Sequence, residues 1–219
     1  MSTATPTPLV IYGTGGHGRE TALLVQSMVD AGAPWQCAGF LDDDVRRHGS
    51  TIGDLPVLGG AEYLATRRGQ LDVAVGIGSP RARRALVDRI RPFVRRFPVL
   101  VHPEISRFER VQLAEGAQVH AGAILTVDIA VGAFAVVHRH VDISHDCVVG
   151  AFASLAPAST LAGSVTIEDG AELGVRVACI PGVRVGAWSV VGAGAVVVRD
   201  IPDGMTAIGV PARPVALAY

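Results

Sequence analysis

The chain is poor in several things that would each have announced a class of protein. Aromatic residues make up only 5% of it, against 49% hydrophobic residues overall. Its core must therefore be assembled from Val, Ala, Leu and Ile in thin regular layers rather than around large rings. There are three cysteines, Cys37, Cys147 and Cys179, an odd number with no CxxC pair, which excludes a disulfide framework and a zinc ribbon. The formal net charge is −1, leaving no electrostatic reason to expect nucleic acid or an anionic membrane as partner. No run approaches the roughly eighteen uncharged apolar residues of a membrane span. The leading MSTATPTP lacks both a basic region and an apolar stretch, so it is not a signal peptide. A soluble, cytoplasmic protein is the expectation.

What the chain does have is a beat of six. From Val101 the series Val101, Arg107, Leu113, Val119, Leu125, Val131, Val137, Ile143, Val149, Leu155, Leu161, Ile167, Leu173, Cys179, Val185, Val191, Val197 never slips. Fifteen of its seventeen members are Val, Ile or Leu, which makes it a structural repeat. Four residues after each comes a second small or apolar residue, from Ile105 through Ala123, Cys147 and Val165 to Ile201. A hexad repeat of this kind predicts a parallel β-helix with three hexads, eighteen residues, per coil. Cys147 and Cys179 both fall on inward positions and read as small core residues. The flat faces of such a prism invite side-by-side association, and a closed homotrimer is the expectation.

The first half follows a different rule. Leu9–Tyr12, Cys37–Leu41 and Val73–Ile77 read as strands, and stretches from Arg19 to Val29, Tyr63 to Arg67 and Arg81 to Arg91 as helices. Alternating strand and helix predicts a small parallel α/β sheet with ligands at the carboxyl ends of its strands. Helical periodicity gives way to hexads near Pro98 to Pro103, so the expected domains are 1–98, Rossmann-like, and 99–219, the β-helix with a C-terminal tail.

Two constellations carry chemistry. Gly13-x-Gly15-Gly16-His17-Gly18 stands between the first strand and the first helix, where a phosphate loop belongs, because glycines let the backbone approach a phosphate and the helix N-terminus offers free N–H donors. Asp42-Asp43-Asp44 closes the second strand, where ribose or base groups need acceptors. The unit is too small for a dinucleotide cofactor, and one mononucleotide suits it better. In the repeat, His138, His140 and His145 interrupt the run of small residues. His145 is followed by Asp146 next to a corner, an arrangement suited to general base chemistry. His140 and His145 are also five residues apart, a spacing open to a zinc-type site, and His120 precedes His138 by one eighteen-residue coil.

Together these residues resemble a known family. Ile11-Tyr12-Gly13-x-Gly15-Gly16-His17-Gly18, Phe40-Leu41-Asp42-Asp43, Gly76-Ile77-Gly78 and Val101-His102-Pro103, followed by Ser144-His145-Asp146-Cys147 and Ile208-Gly209-Val210-Pro211-Ala212-Arg213, are similar to the bacterial sugar acyltransferases. That group includes sialic acid O-acetyltransferases and PglD-like nucleotide-aminosugar N-acetyltransferases. The resemblance implies a left-handed β-helix, a homotrimer with sites between subunits, acetyl-CoA as acyl donor, no metal, and a nucleotide-linked sugar from glycan biosynthesis as acceptor. It further implies that His145 is the general base, that Asp146 raises its basicity, and that Gly15, Gly16, His17, Asp42, Asp43 and Gly78 hold the nucleotide sugar; His138, from the repeat itself, is a further candidate for the substrate site. Ser154, Val175 and Ala193 would contact the CoA arm. The chain departs from the family's pattern twice: His138-Arg139-His140 replaces an Asn-Thr-Gly-like stretch, and Ser154 stands where many members carry a histidine. Two other readings remain: a metal-dependent enzyme of the γ-carbonic-anhydrase type, built on His140 and His145, and a non-catalytic nucleotide-binding scaffold.

Overall fold

A computed structural model describes residues 6–107 and 110–215, and the chain divides into two compact units, Met1–Pro103 and Glu104–Tyr219. In the first unit, strands β1 (Thr7–Tyr12), β2 (Trp35–Leu41) and, further along, β5 (Asp72–Val75) form a parallel sheet in the order β2-β1-β5. Ile11 pairs with Phe40 on one side and Ala74 on the other. Leu9 to Ile11 are fully buried, which is why this central strand reads as a continuous apolar run rather than an alternating one. Helix α1 (Gly16–Asp30) sets Leu24 and Val25 against the sheet, in a cluster with Leu9, Ile11, Trp35 and Phe40.

Helix α1 begins three residues before the apolar periodicity does, because the glycine turn runs directly into the first helical turn. Helix α2 is short, Ala61–Ala65, and α3 spans Pro80–Ile90 with Ser79 as N-cap and a proline in its first turn. Between β2 and α2 lies a small antiparallel hairpin, β3 (Thr51–Ile52) with β4 (Leu55–Pro56), that the sequence reading passed over. At the base of the sheet the Asp72 carboxylate is fully buried. It accepts hydrogen bonds from Trp35 Nε1 (3.1 Å), Arg95 Nε (2.8 Å) and Arg96 Nε (2.8 Å), so its charge is met from three directions.

The second unit is the predicted left-handed parallel β-helix, of about six turns. Its strands are two or three residues long and stack into three sheets, the Ile143, Val149 and Leu155 sheets. Pairs such as Val136↔Ser154, Val148↔Thr166 and Asp142↔Thr160 confirm the eighteen-residue coil. The first hexad position points inward, with Val119, Leu125, Val137, Ile143, Leu155 and Leu161 fully buried. The position four residues later is equally buried, and both Cys147 and Cys179 lie in this interior. Corners are made by the residue between them. From Arg110 to Gly194 every sixth residue has a positive φ, between 55° and 75°, including Phe134, Phe152 and Trp188. Each such corner costs a non-glycine residue energy. The strain is offset by ladder hydrogen bonds on both sides and by stacking between coils, as in Phe134 on Phe152 at 5.1 Å between ring centroids.

One expectation fails at the last coil. Ile201 does not keep its place in the six-residue count. It pairs with Val185 at an interval of sixteen, and Val190 and Val191 pair with Thr206 and Ala207 at the same interval. The corner at Arg199-Asp200 is two residues short, and the Asp200 carboxylate accepts from Arg184 N–H (2.8 Å) to hold the tightened turn. Thr206–Ile208 then pairs with Arg213–Val215 in antiparallel fashion.

Candidate functional site

The glycine loop of the first unit divides into two kinds of glycine. Gly13 has φ +107°, and a Cβ on Gly18 would overlap the Gly13 carbonyl oxygen, so these two permit the close seating of α1 on the turn after β1. A Cβ on Gly15 or Gly16 would meet only open space, both residues are exposed, and no side chain caps the helix that starts there. Their missing side chains leave free backbone N–H groups accessible from solvent, as a phosphate cradle requires. His17 is half-buried beside Gly78. The loop that carries Gly78 is anchored by Arg83, 1% exposed, whose Nη1 donates to the carbonyls of Ile77 (2.9 Å) and Gly78 (2.8 Å). Sequence reasoning missed Arg83, because one buried arginine in an Arg-rich helix has no pattern that distinguishes it from its solvated neighbours.

The two acids after β2 do different work. Asp42 Oδ2 accepts from Thr14 N–H (3.0 Å) and from the Thr14 hydroxyl, and Oδ1 accepts from Asp44 N–H (2.9 Å). Burial favours its neutral form, but the hydrogen bonds from Thr14 and Asp44 and the nearby Arg47 guanidinium outweigh it and hold the carboxyl below the usual range. Asp42 thus fastens the glycine loop to the end of β2. Asp43 turns the other way, onto Tyr12 and Arg89: the Tyr12 hydroxyl donates to Oδ1 (2.6 Å) and Arg89 Nη2 to Oδ2. Tyr12 and Arg89 were not among the candidates drawn from the sequence, since 77 residues separate them.

In the second unit His145 and Asp146 share a corner between the Ile143 and Val149 sheets. Asp146 holds the left-handed corner conformation, φ 59°, and its Oδ2 lies 2.8 Å from His145 Nδ1. Both side chains are more than half exposed. With Nδ1 engaged by the carboxylate, Nε2 is left as the proton-accepting nitrogen. His138 sits one corner back on the same coil, just past the Val136–Val137 strand of the Leu155 sheet, stacked on His120 at 5.3 Å as the eighteen-residue interval foretold. His140 leans over Gly122, one coil back, whereas His145 lies against Gly163, one coil on. The two rings diverge instead of converging as ligands of one ion.

The remaining candidates gather on another corner. Ser154 faces outward from the Leu155 sheet, and Val175 and Ala193 stand one above the other at the corner that follows it, both exposed. This column is small and uncharged, and suits backbone contact with an extended thiol arm. His145 lies one corner further round, across the Ile143 sheet. Within one chain, then, the structure places Ser154 on the Leu155 sheet and Val175, Ala193 and His138 at the corner that follows it, and keeps His145–Asp146 apart from them.

Comparison with known proteins gives this layout a context. Residues 8–90 match the family described as the PglD N-terminal domain. The fold superposes on a mutant of perosamine N-acetyltransferase from Caulobacter crescentus, in complex with CoA and GDP-perosamine, at TM-score 0.87 and 36% identity, covering 99% of this chain and 100% of that one. The chain belongs to the bacterial sugar acyltransferases of the hexapeptide-repeat family. Among curated sequences this acyltransferase is 26% identical to GDP-perosamine N-acetyltransferase of Escherichia coli O157:H7 over 208 residues, 93% of this chain and 94% of that protein. It also superposes on the acetyltransferase domain of PglB from Neisseria gonorrhoeae FA1090, in complex with acetyl coenzyme A, at TM-score 0.73 and 29% identity, covering 96% and 100% of the two chains. With some other curated acyltransferases it shares only a stretch amounting to 25–41% of their length. Among the described residues no helix is long and apolar enough to cross a membrane.

Proposed function

We propose that the protein transfers an acetyl group from acetyl-CoA to the amine of a nucleotide-linked aminosugar. The full-length likeness at 36% identity to an enzyme crystallised with CoA and GDP-perosamine carries this reading. The open glycine cradle of the first unit and the His145–Asp146 pair of the second are its chemical support. In this scheme the Asp146 carboxylate accepts a hydrogen bond from His145 Nδ1–H and so fixes the tautomer, and His145 Nε2 takes the proton that the amine sheds as its nitrogen bonds to the thioester carbonyl carbon. The same imidazolium returns that proton to the departing thiolate, so direct transfer needs no covalent enzyme intermediate.

Gly15, Gly16, His17 and Gly78 would hold the nucleotide sugar at its phosphates, and Asp42 would keep the cradle in place. Ser154, Val175 and Ala193 would line the path of the CoA arm. Because that column and His145 occupy different corners of one prism, a complete site calls for two copies, with His145 from one and the CoA column from its neighbour. A closed homotrimer supplies three such seams. The experiment is thiol release from acetyl-CoA with a panel of nucleotide aminosugars. Release that is lost in His145→Ala upholds the reading, and absence of release on every acceptor overturns it.

A further inference from the structure

The first unit contains a cleft of about 400 Å³ at the carboxyl ends of β1, β2 and β5, a volume suited to a small molecule. Ile77, Ala82, Ala85 and Leu86 give it an aliphatic wall, the kind of surface on which a flat ring packs. Its polar end is Tyr12 of β1, Asp43 of the loop after β2 and Arg89 of α3, joined in one network.

The chemistry of that end is specific. A carboxylate offers about four acceptor positions. Tyr12 takes one on Oδ1 and Arg89 one on Oδ2, so each oxygen keeps a lone pair for a ligand. Arg89 has further N–H donors beside it. Asp43 and Arg89 are each about half exposed, toward the cleft and solvent, whereas the Tyr12 ring is buried and fixes the carboxylate in place. The edge therefore reads acceptor, acceptor, donor. Among the common nucleobases, guanine alone presents the complement on its pairing edge: two adjacent donors, N2–H and N1–H, then the O6 acceptor. Uracil and thymine set one N–H between two carbonyls, and adenine and cytosine set one amino group beside a ring nitrogen acceptor. Each of these would turn an acceptor onto the carboxylate.

We propose that Asp43, held by Tyr12 and flanked by Arg89, recognises guanine, so that the sugar this enzyme accepts is carried on guanosine diphosphate. The inference rests on the nucleotide-sugar reading above. It also gives Asp43 a role apart from that of Asp42, whose carboxylate is spent on the glycine loop.

The test is calorimetric titration of the full-length protein with GDP, UDP, dTDP, ADP and xanthosine diphosphate. GDP should bind at least about tenfold more tightly than the other three natural diphosphates, as expected of a bidentate contact. Asp43→Asn should weaken GDP by about 10- to 100-fold. Its amide presents one acceptor and one donor, so it should strengthen xanthosine diphosphate, in which a carbonyl replaces the N2 amino group. Arg89→Met should weaken GDP without the gain for xanthosine diphosphate, and unchanged melting temperatures would show that both variants are folded. Equal binding of all natural diphosphates, or Asp43→Asn binding GDP as the parent does, would overturn the assignment while leaving the nucleotide-sugar reading standing. No binding of any diphosphate, together with no thiol release, would sink both.

Discussion

Gly163 lies one coil beyond His145 and forms the surface against which its ring rests. A Cβ at Gly163 would come 2.5 Å from His145 Nε2. The position needs no glycine for its backbone, since its φ is outside the left-handed region, in contrast to Gly122 at +73° and Gly170 at +66°. The missing side chain is explained by the imidazole alone. Because the His145 ring is exposed and able to swing away, Gly163→Ala should leave the melting temperature within about 3 °C, in the range of surface substitutions. It should nevertheless lower kcat by about 100-fold through displacement of the base, with nucleotide binding unchanged. In a His145→Ala background the same change should cost nothing more. Loss of rate in that background would show that Gly163 acts by some other route.

The separation of His145 from the Val175–Ala193 column makes a second prediction. In the proposed trimer His145→Ala and Ala193→Trp damage opposite sides of a shared site, and each alone should be nearly inactive. Co-expressed, they should form mixed trimers in which one seam of three keeps both intact halves, restoring about a quarter of parental activity. No restoration in a sample shown by ultracentrifugation to contain mixed trimers would place the whole site within one chain.

Asp72 predicts how stability varies with pH. Its burial favours the neutral acid, but hydrogen bonds from Arg95 and Arg96 win and lower its carboxyl below the usual range. A depressed acid stabilises the fold above the unfolded value of about 4, and the stabilisation fades as pH falls through the lower folded value. Asp72→Asn should therefore cost about 2 kcal/mol at pH 7, where two half-exposed arginines lose their partner. In urea unfolding the gap between parent and variant should narrow near pH 3. A gap independent of pH would mean that the packing of Trp35, not the charge, is what the substitution damages.

The thiols of the β-helix should be inert. Burial pushes the Cys179 thiol up to about 12 and raises that of Cys147 as well, and Cys147 Sγ donates to the Ala162 carbonyl at 3.2 Å. Since the thiolate is the reactive form, mass spectrometry after iodoacetamide treatment at pH 8 should find both residues unmodified in the folded protein. Both should be labelled after unfolding in guanidinium. Rapid native labelling with loss of activity would point to thiol chemistry that the acyl-transfer scheme does not contain.

What was legible in the sequence follows from what repeats and what does not. The β-helix could be read because one geometric demand, an inward aliphatic side chain, recurs every six residues, and because the interval of eighteen puts His120 on His138. The same count ran past Ile201, since a corner shortened by two residues leaves an aliphatic residue where the count still expects one. The Thr51–Pro56 hairpin escaped because two-residue strands hold too little periodicity to register. In the site, the glycine loop and Asp42-Asp43 are contiguous motifs and stood out. Arg83 and Arg89 did not, because their partners, the Gly78 loop and Asp43, are fixed by tertiary structure and leave no trace in local spacing. Gly163 shows its purpose only once His145 is seen against it.

The reversed strand after the final coil sets the height of the stack. Every coil of a parallel β-helix offers the next a ready row of N–H and C=O groups, so an unaltered repeat would template growth without end, within the molecule or onto a neighbour. Parallel pairing survives the shortened corner at Arg199-Asp200 as far as Ala207, and the reversed strand Arg213–Val215 then occupies the edge where another coil would pair. A single change of strand direction thereby works as a ruler, giving a pattern that could propagate as a fibre a defined last rung.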